Sequence, residues 1–208
     1  RPEEEVPFSV REYHGTSSPI PALIDYYGDS RSIYGTGLYP TDSEATARGY
    51  TKKGRGTQPV LYEVSQKRTP RLFDLDMPIT PEIMQFAQSD DVFAEALDAN
   101  PTTTRELFDE VRSLSRSEYG LSTDEVQERF DAVAAELEIL GFDGYTHIGG
   151  KNTGNAPHTV RIYWKPDSIV GIAPKEEVPF SVREMPDDAA YMKAVEAGDM
   201  ATAQRMVD

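Results

Sequence analysis

Cysteine is absent from all 208 residues of the chain. A disulfide framework, a zinc–cysteine site and a thiol nucleophile are thereby excluded. Histidine is scarce: His14, His147 and His158 are the only three, and their spacing is not that of a metal-binding motif. No apolar run approaches the about 18 residues that would span a bilayer, so no membrane partner is expected. Basic residues are in deficit, 21 against 36 acidic, and the net charge of −15 is a poor match to a phosphate backbone. Duplex nucleic acid is therefore not an expected partner. There is no G-x-S-x-G for a nucleophile elbow. Gly149-Gly150-Lys151 lacks the upstream glycine of a phosphate loop, and Asn152 stands where Ser or Thr should follow. The stretch GGKNTGNAP reads instead as a solvated loop. Residue 1 is Arg and no signal-type segment follows, so a piece of a longer protein is expected.

Aromatic residues are plentiful. Eleven Tyr, eight Phe and one Trp can build a core although the apolar fraction is only 38%. One repeat is identical over nine residues: EEVPFSVRE at 4–12 and again at 176–184. Copies 172 residues apart cannot be solenoid units, which recur every ~20–50 residues. They bracket a folded unit, as a repeated linker or processing site or as a plain duplicated connector. Residues 1–12 and 176–184 are thus read as linkers, 13–175 as the domain, and 185–208 as a short helical pair opening a further module.

Within the bracket, Phe8, Val10 and Tyr13 alternate toward HGTS, and Val60–Val64, Thr159–Trp164 and Ile169–Ile172 are strand-like. The middle, about 80–140, is helical. Thr80 and Pro81 open a helix over Pro81–Gln88. Val92–Ala99 and Thr104–Leu114 suit two more. Ser122-Thr123-Asp124-Glu125 opens the clearest, Glu125–Leu140, with Val126, Phe130, Val133, Leu137 and Leu140 on one face and Gly141 as its stop. Strands early and late with helices between them predict an α+β fold with a helical insertion.

Chemistry concentrates in YHGTS (13–17), GTGLYPTDSEATARGY (35–50) and the closing stretch from GFDG to KPDSI (141–169). Singly, each has an ordinary explanation: a strand-end histidine, turn glycines, core tyrosines. In combination and in this order they resemble the ADP-ribosyltransferase family of the diphtheria-toxin and poly(ADP-ribose) polymerase type. The matching pieces are His14-Gly15, Gly35-Thr36-Gly37-Leu38-Tyr39, and Tyr50 after a small-residue helical turn, eleven residues beyond Tyr39. The closing segment VRIYWKPDSI looks like the family's last strand and turn.

The resemblance implies a split β-sheet core and NAD as a substrate, with no metal. Tyr39 and Tyr50 would stack on the cationic nicotinamide ring. Gly15 would offer backbone N–H and C=O to the carboxamide, and His14 would meet a ribose hydroxyl. Thr16 is a further hydroxyl, and Gly37 turns the chain beneath the dinucleotide. Ala47 stands where many polymerases have serine, as in toxin-type members. The family's glutamate position falls on Val160. Three explanations follow: a carboxylate supplied from elsewhere, with Asp143 and Glu63 as candidates; a transferase working without it; or a domain that binds NAD or ADP-ribose without turning it over. Polymer formation is disfavoured.

The expected function is mono-ADP-ribosyl transfer to an unidentified protein or small-molecule acceptor, with a non-catalytic binding module as the alternative. The bracketing repeats and tail look like those of phage polyvalent proteins and polymorphic toxins. Such a protein is expected in the cytoplasm, or delivered into a target cell.

Overall fold

The structure is a computed structural model that describes residues 11–23, 33–52, 58–150 and 156–175. The predicted extension at Phe8 and Val10, most of the loop after Gly150, the second EEVPFSVRE copy and the helical tail lie outside the described residues. Every element below belongs to a unit ending at Pro174.

Among the described residues, six strands form two three-stranded sheets. In the first, β1 (Glu12–Thr16) pairs antiparallel with β2 (Val60–Gln66), which pairs antiparallel with β6 (Val170–Pro174). In the second, β3 (Leu72–Asp74) runs parallel to β4 (Gly144–Gly149), and β4 antiparallel to β5 (His158–Tyr163). Residues 38–41 lie between the sheets. They bridge to β5 through Leu38–Tyr163 and Thr41–Val160, and to β1 through Tyr13–Thr41. The fold is α+β.

The helices between β1 and β4 are α1 (Glu44–Thr51), α2 (Pro81–Ser89), α3 (Asp91–Ala96), α4 (Thr104–Ser117) and α5 (Thr123–Ile139). Local chemistry explains where they start. Thr80 caps α2 with Pro81 in its first turn, and Thr103–Glu106 and Ser122–Glu125 form reciprocal capping boxes on α4 and α5. Helix α5 begins two residues ahead of the sequence expectation because Ser122 itself is the cap. Helix α3 gives way to a 3-10 turn at Leu97–Ala99, so the predicted helix over Val92–Ala99 is shorter and tighter at its end. The KPDS turn closes as a one-turn helix, α6 (Pro166–Ile169).

Helices α2 to α5 pack on β3, β4 and β5 through one aromatic core. Phe108 sits at its centre, with ring centroids 4.9 Å from Phe130, 5.8 Å from Phe93 and 5.9 Å from Tyr145. A smaller cluster on the opposite side of the sheets joins Leu38, Val64, Tyr163, Ile169 and Val170.

Candidate functional site

The Gly-x-Gly stretch is held by its own tyrosine. Tyr39 Oη donates to the Gly35 carbonyl at 2.7 Å and accepts from the Tyr34 N–H at 3.1 Å, so the phenol ties the turn across itself. Gly35 has φ +95, which favours glycine, and a Cβ there would lie 2.8 Å from Asp131 Oδ1. A Cβ on Gly37 would lie 2.8 Å from the Tyr163 carbonyl oxygen. The glycines let residues 34–39 turn tightly between β5 and α5.

Gly15 is required for a different reason. A Cβ at this position would fall 1.8 Å from the carbonyl oxygen of Ala47, so β1 and α1 touch backbone to backbone. Helix α1 is set there by Ser43, whose side chain accepts from the Thr46 N–H, and by buried Ala47, which packs with Tyr13 and Leu61. One turn further on the same short helix, Tyr50 is 46% exposed. Thr16 is half-buried, its hydroxyl accepting from the Ser18 N–H at 3.3 Å.

Strand alternation sorts the side chains. Tyr13, Gly15, Tyr39, Thr41 and Val160 lie on the face that α1 and the large aromatic core cover. His14, Glu12, Arg161 and Tyr163 lie on the other. The ladder between β1 and 38–41 opens after one rung. Tyr13 and Thr41 exchange both backbone bonds, at 2.8 and 2.9 Å. The same alternation turns the N–H and C=O of Gly15 away from β2 and toward Tyr39. There the Tyr39 carbonyl is engaged by His14 Nδ1 at 3.1 Å, and no hydrogen bond among the described residues joins Gly15 to 38–41. One backbone donor and one acceptor of Gly15 therefore point toward Tyr39 without a bond to 38–41 among the described residues.

His14 is 8% exposed, and burial pushes its pKa below the ordinary histidine range despite the opposing bond to Tyr39. A carbonyl can only accept, so Nδ1 carries the proton and Nε2 the lone pair of a neutral ring.

Val160 lies half-buried on β5, bridged to Thr41 on one side and paired with His147 of β4 on the other. Of the two carboxylates proposed to stand in for a glutamate here, Asp143 is committed elsewhere. It pairs with Arg68 through both oxygens, at 2.6 and 2.7 Å, and accepts from the Arg71 N–H; the Arg68 guanidinium holds its carboxyl below the usual range. Glu63 is exposed on β2, opposite Tyr13 and Ala173. Neither adjoins Val160. No family model, curated protein or solved structure matches the chain. The site therefore rests on its own geometry.

Two carboxylates that sequence reasoning missed adjoin it. Glu12, two residues before His14, is buried and held by Tyr163 Oη at 3.0 and 3.2 Å, Gln66 Nε2 at 2.9 Å and Arg161 Nη1 at 2.9 Å. Burial raises its pKa, while Arg161, Tyr163 and Gln66 pull it back. Asp131 on α5 accepts from Thr36 of the Gly-x-Gly turn through both oxygens, from N–H at 2.6 Å and Oγ1 at 2.7 Å. Neither partnership has a signal in sequence, because the partners lie 95 and 149 residues apart. Among the described residues, no group of three or more His, Asp or Glu is arranged to hold a metal, and no helix is long and apolar enough to cross a membrane.

Proposed function

We propose that the domain is an NAD-dependent mono-ADP-ribosyltransferase built on the split sheet of that family. The observation that carries the reading is the opened ladder at Gly15. A nicotinamide carboxamide needs one acceptor and one donor, and the Gly15 backbone, turned away from β2 toward Tyr39, offers both. The positive ring would then be held against Tyr39 and Tyr50 by stacking and cation–π attraction. In the family resemblance, neutral His14 is the group that meets a ribose hydroxyl.

In the reaction, the bond between the ribose anomeric carbon and the nicotinamide nitrogen breaks, and its electron pair leaves with nicotinamide. The acceptor's nucleophile forms the new bond to that carbon and gives up its proton to solvent. The domain's contribution is to hold the reactants in place and to stabilise the developing positive charge on the sugar. The acceptor is a protein or small molecule.

Val160 favours a second reading, capture of NAD or ADP-ribose without turnover, since an aliphatic side chain cannot hold a sugar hydroxyl. Free nicotinamide, followed over time with purified domain and NAD, separates the two. Release at a rate above that of NAD alone is the expected result. Saturable binding without release would replace the transferase by a capture module.

A further inference from the structure

The helical insertion has no counterpart in the sequence motifs, yet it holds the turn on which Tyr39 sits. Asp131 and Gln127 lie one turn apart on α5 and both reach Thr36. The Asp131 carboxylate accepts from the Thr36 N–H at 2.6 Å and from its Oγ1 at 2.7 Å, and Gln127 Nε2 donates to the same Oγ1 at 2.9 Å. Gly35 has no side chain to keep Asp131 away. The Gly35 carbonyl accepts from Tyr39 Oη at 2.7 Å, and that oxygen accepts in turn from the Tyr34 N–H at 3.1 Å. A continuous path of hydrogen bonds therefore leads from the α5 carboxylate, through the turn, to the Tyr39 phenol. Bonds to an ionised acceptor are the stronger kind.

We infer that Asp131 is the positioning residue of the site: it fixes the Gly35–Gly37 turn and so sets the Tyr39 ring in place. Both of its oxygens are taken by Thr36, so it acts through the turn and not on a bound sugar. The insertion is then part of the binding site and not an appendage to it. This inference rests on the proposed nicotinamide pocket, and its test is chosen so that the two can fail separately.

The test compares wild type with Asp131→Ala, Asp131→Asn and Thr36→Ala. Three readouts are taken: NAD affinity by calorimetry, the Tyr39 ring resonances by NMR (assigned with Tyr39→Phe), and Tm. Asn keeps an acceptor for the Thr36 N–H, while the hydroxyl can turn to accept from its amide, so Asn is expected to restore what Ala removes. Asp131→Ala is expected to shift the Tyr39 resonances and weaken NAD binding about tenfold, equivalent to about 1.4 kcal/mol. Thr36→Ala leaves α5 untouched and is expected to move both readouts in the same direction by less, which keeps the test open if Asp131→Ala does not fold. Wild-type NAD affinity together with unmoved Tyr39 resonances in either alanine variant overturns the inference. Shifted Tyr39 resonances in a protein whose wild type binds no NAD would support the positioning role and overturn the nicotinamide pocket.

Discussion

Gly15→Ala is expected to be among the most damaging single methyl additions in the domain. The added carbon would fall 1.8 Å from the Ala47 carbonyl oxygen, with the Thr51 side chain also at 3.1 Å. The obstacle is helix backbone, so no rotamer change relieves it. Either α1 moves off β1 or β1 leaves its register with β2. Overpacking costs about 1–3 kcal/mol where neighbours can adjust and more where they cannot. A loss of about 3 kcal/mol corresponds in a chain of this size to a Tm lower by about 6–12 °C. Because Tyr13, Ala47 and Leu61 pack together at the same contact, displacing α1 also carries Tyr50 away from Gly15. A thermal melt checks the first effect. A variant that melts within about 2 °C of wild type would mean that β1 and α1 are not in backbone contact.

Arg161→Met is expected to be as costly, for an electrostatic reason. Glu12 is 1% exposed, and the Arg161 guanidinium is its cationic partner. Removing one member of a buried ion pair strands the other charge, which costs about 3–5 kcal/mol. The sign of the pH dependence follows from Glu12, whose pKa is already raised by burial although Arg161 lowers it. A carboxyl with a raised folded-state pKa contributes fully while it is protonated in both states. That contribution is lost as pH rises from the unfolded value through the folded one. Without Arg161 the folded pKa rises further. The deficit of the variant is therefore expected to be small near pH 4 and to grow toward pH 7. Urea titrations of both proteins at the two pH values test this. A deficit independent of pH would show that packing, and not the charge on Glu12, dominates.

Much of the helical layer was legible in the sequence because its signals are local. Thr80-Pro81 and Ser122–Glu125 each carry a cap and an apolar period within a few residues. Strand β2 was legible for the same reason, as an alternating run. Strands β3 and β4 were not. Leu72–Asp74 is three residues long, and GYTHIG begins and ends in glycine; β3 becomes a strand through β4, and β4 through β3 and β5. Gly144 shows why, since a Cβ there would lie 1.8 Å from the Ile162 carbonyl oxygen, a constraint set by a partner far along the chain. The site divides in the same way. His14-Gly15, the Gly-x-Gly turn and the tyrosine spacing can be read from short motifs. The Thr36–Asp131 bonds and the buried Glu12 network depend on which helix and which strand fold against them, and no local pattern encodes that.

The central claim is that Gly15, Tyr39 and Tyr50 form one pocket for the nicotinamide end of NAD. Calorimetric titration of the domain with NAD, beside Tyr50→Ala, tests it most directly, because Tyr50 is exposed and its removal should leave the core intact. The account predicts saturable binding by wild type that Tyr50→Ala abolishes or weakens at least about tenfold, in line with the loss of a stacking and cation–π contact of about 1–2 kcal/mol. No binding by wild type, or equal affinity in both proteins, would contradict it and leave the tyrosines as packing residues alone.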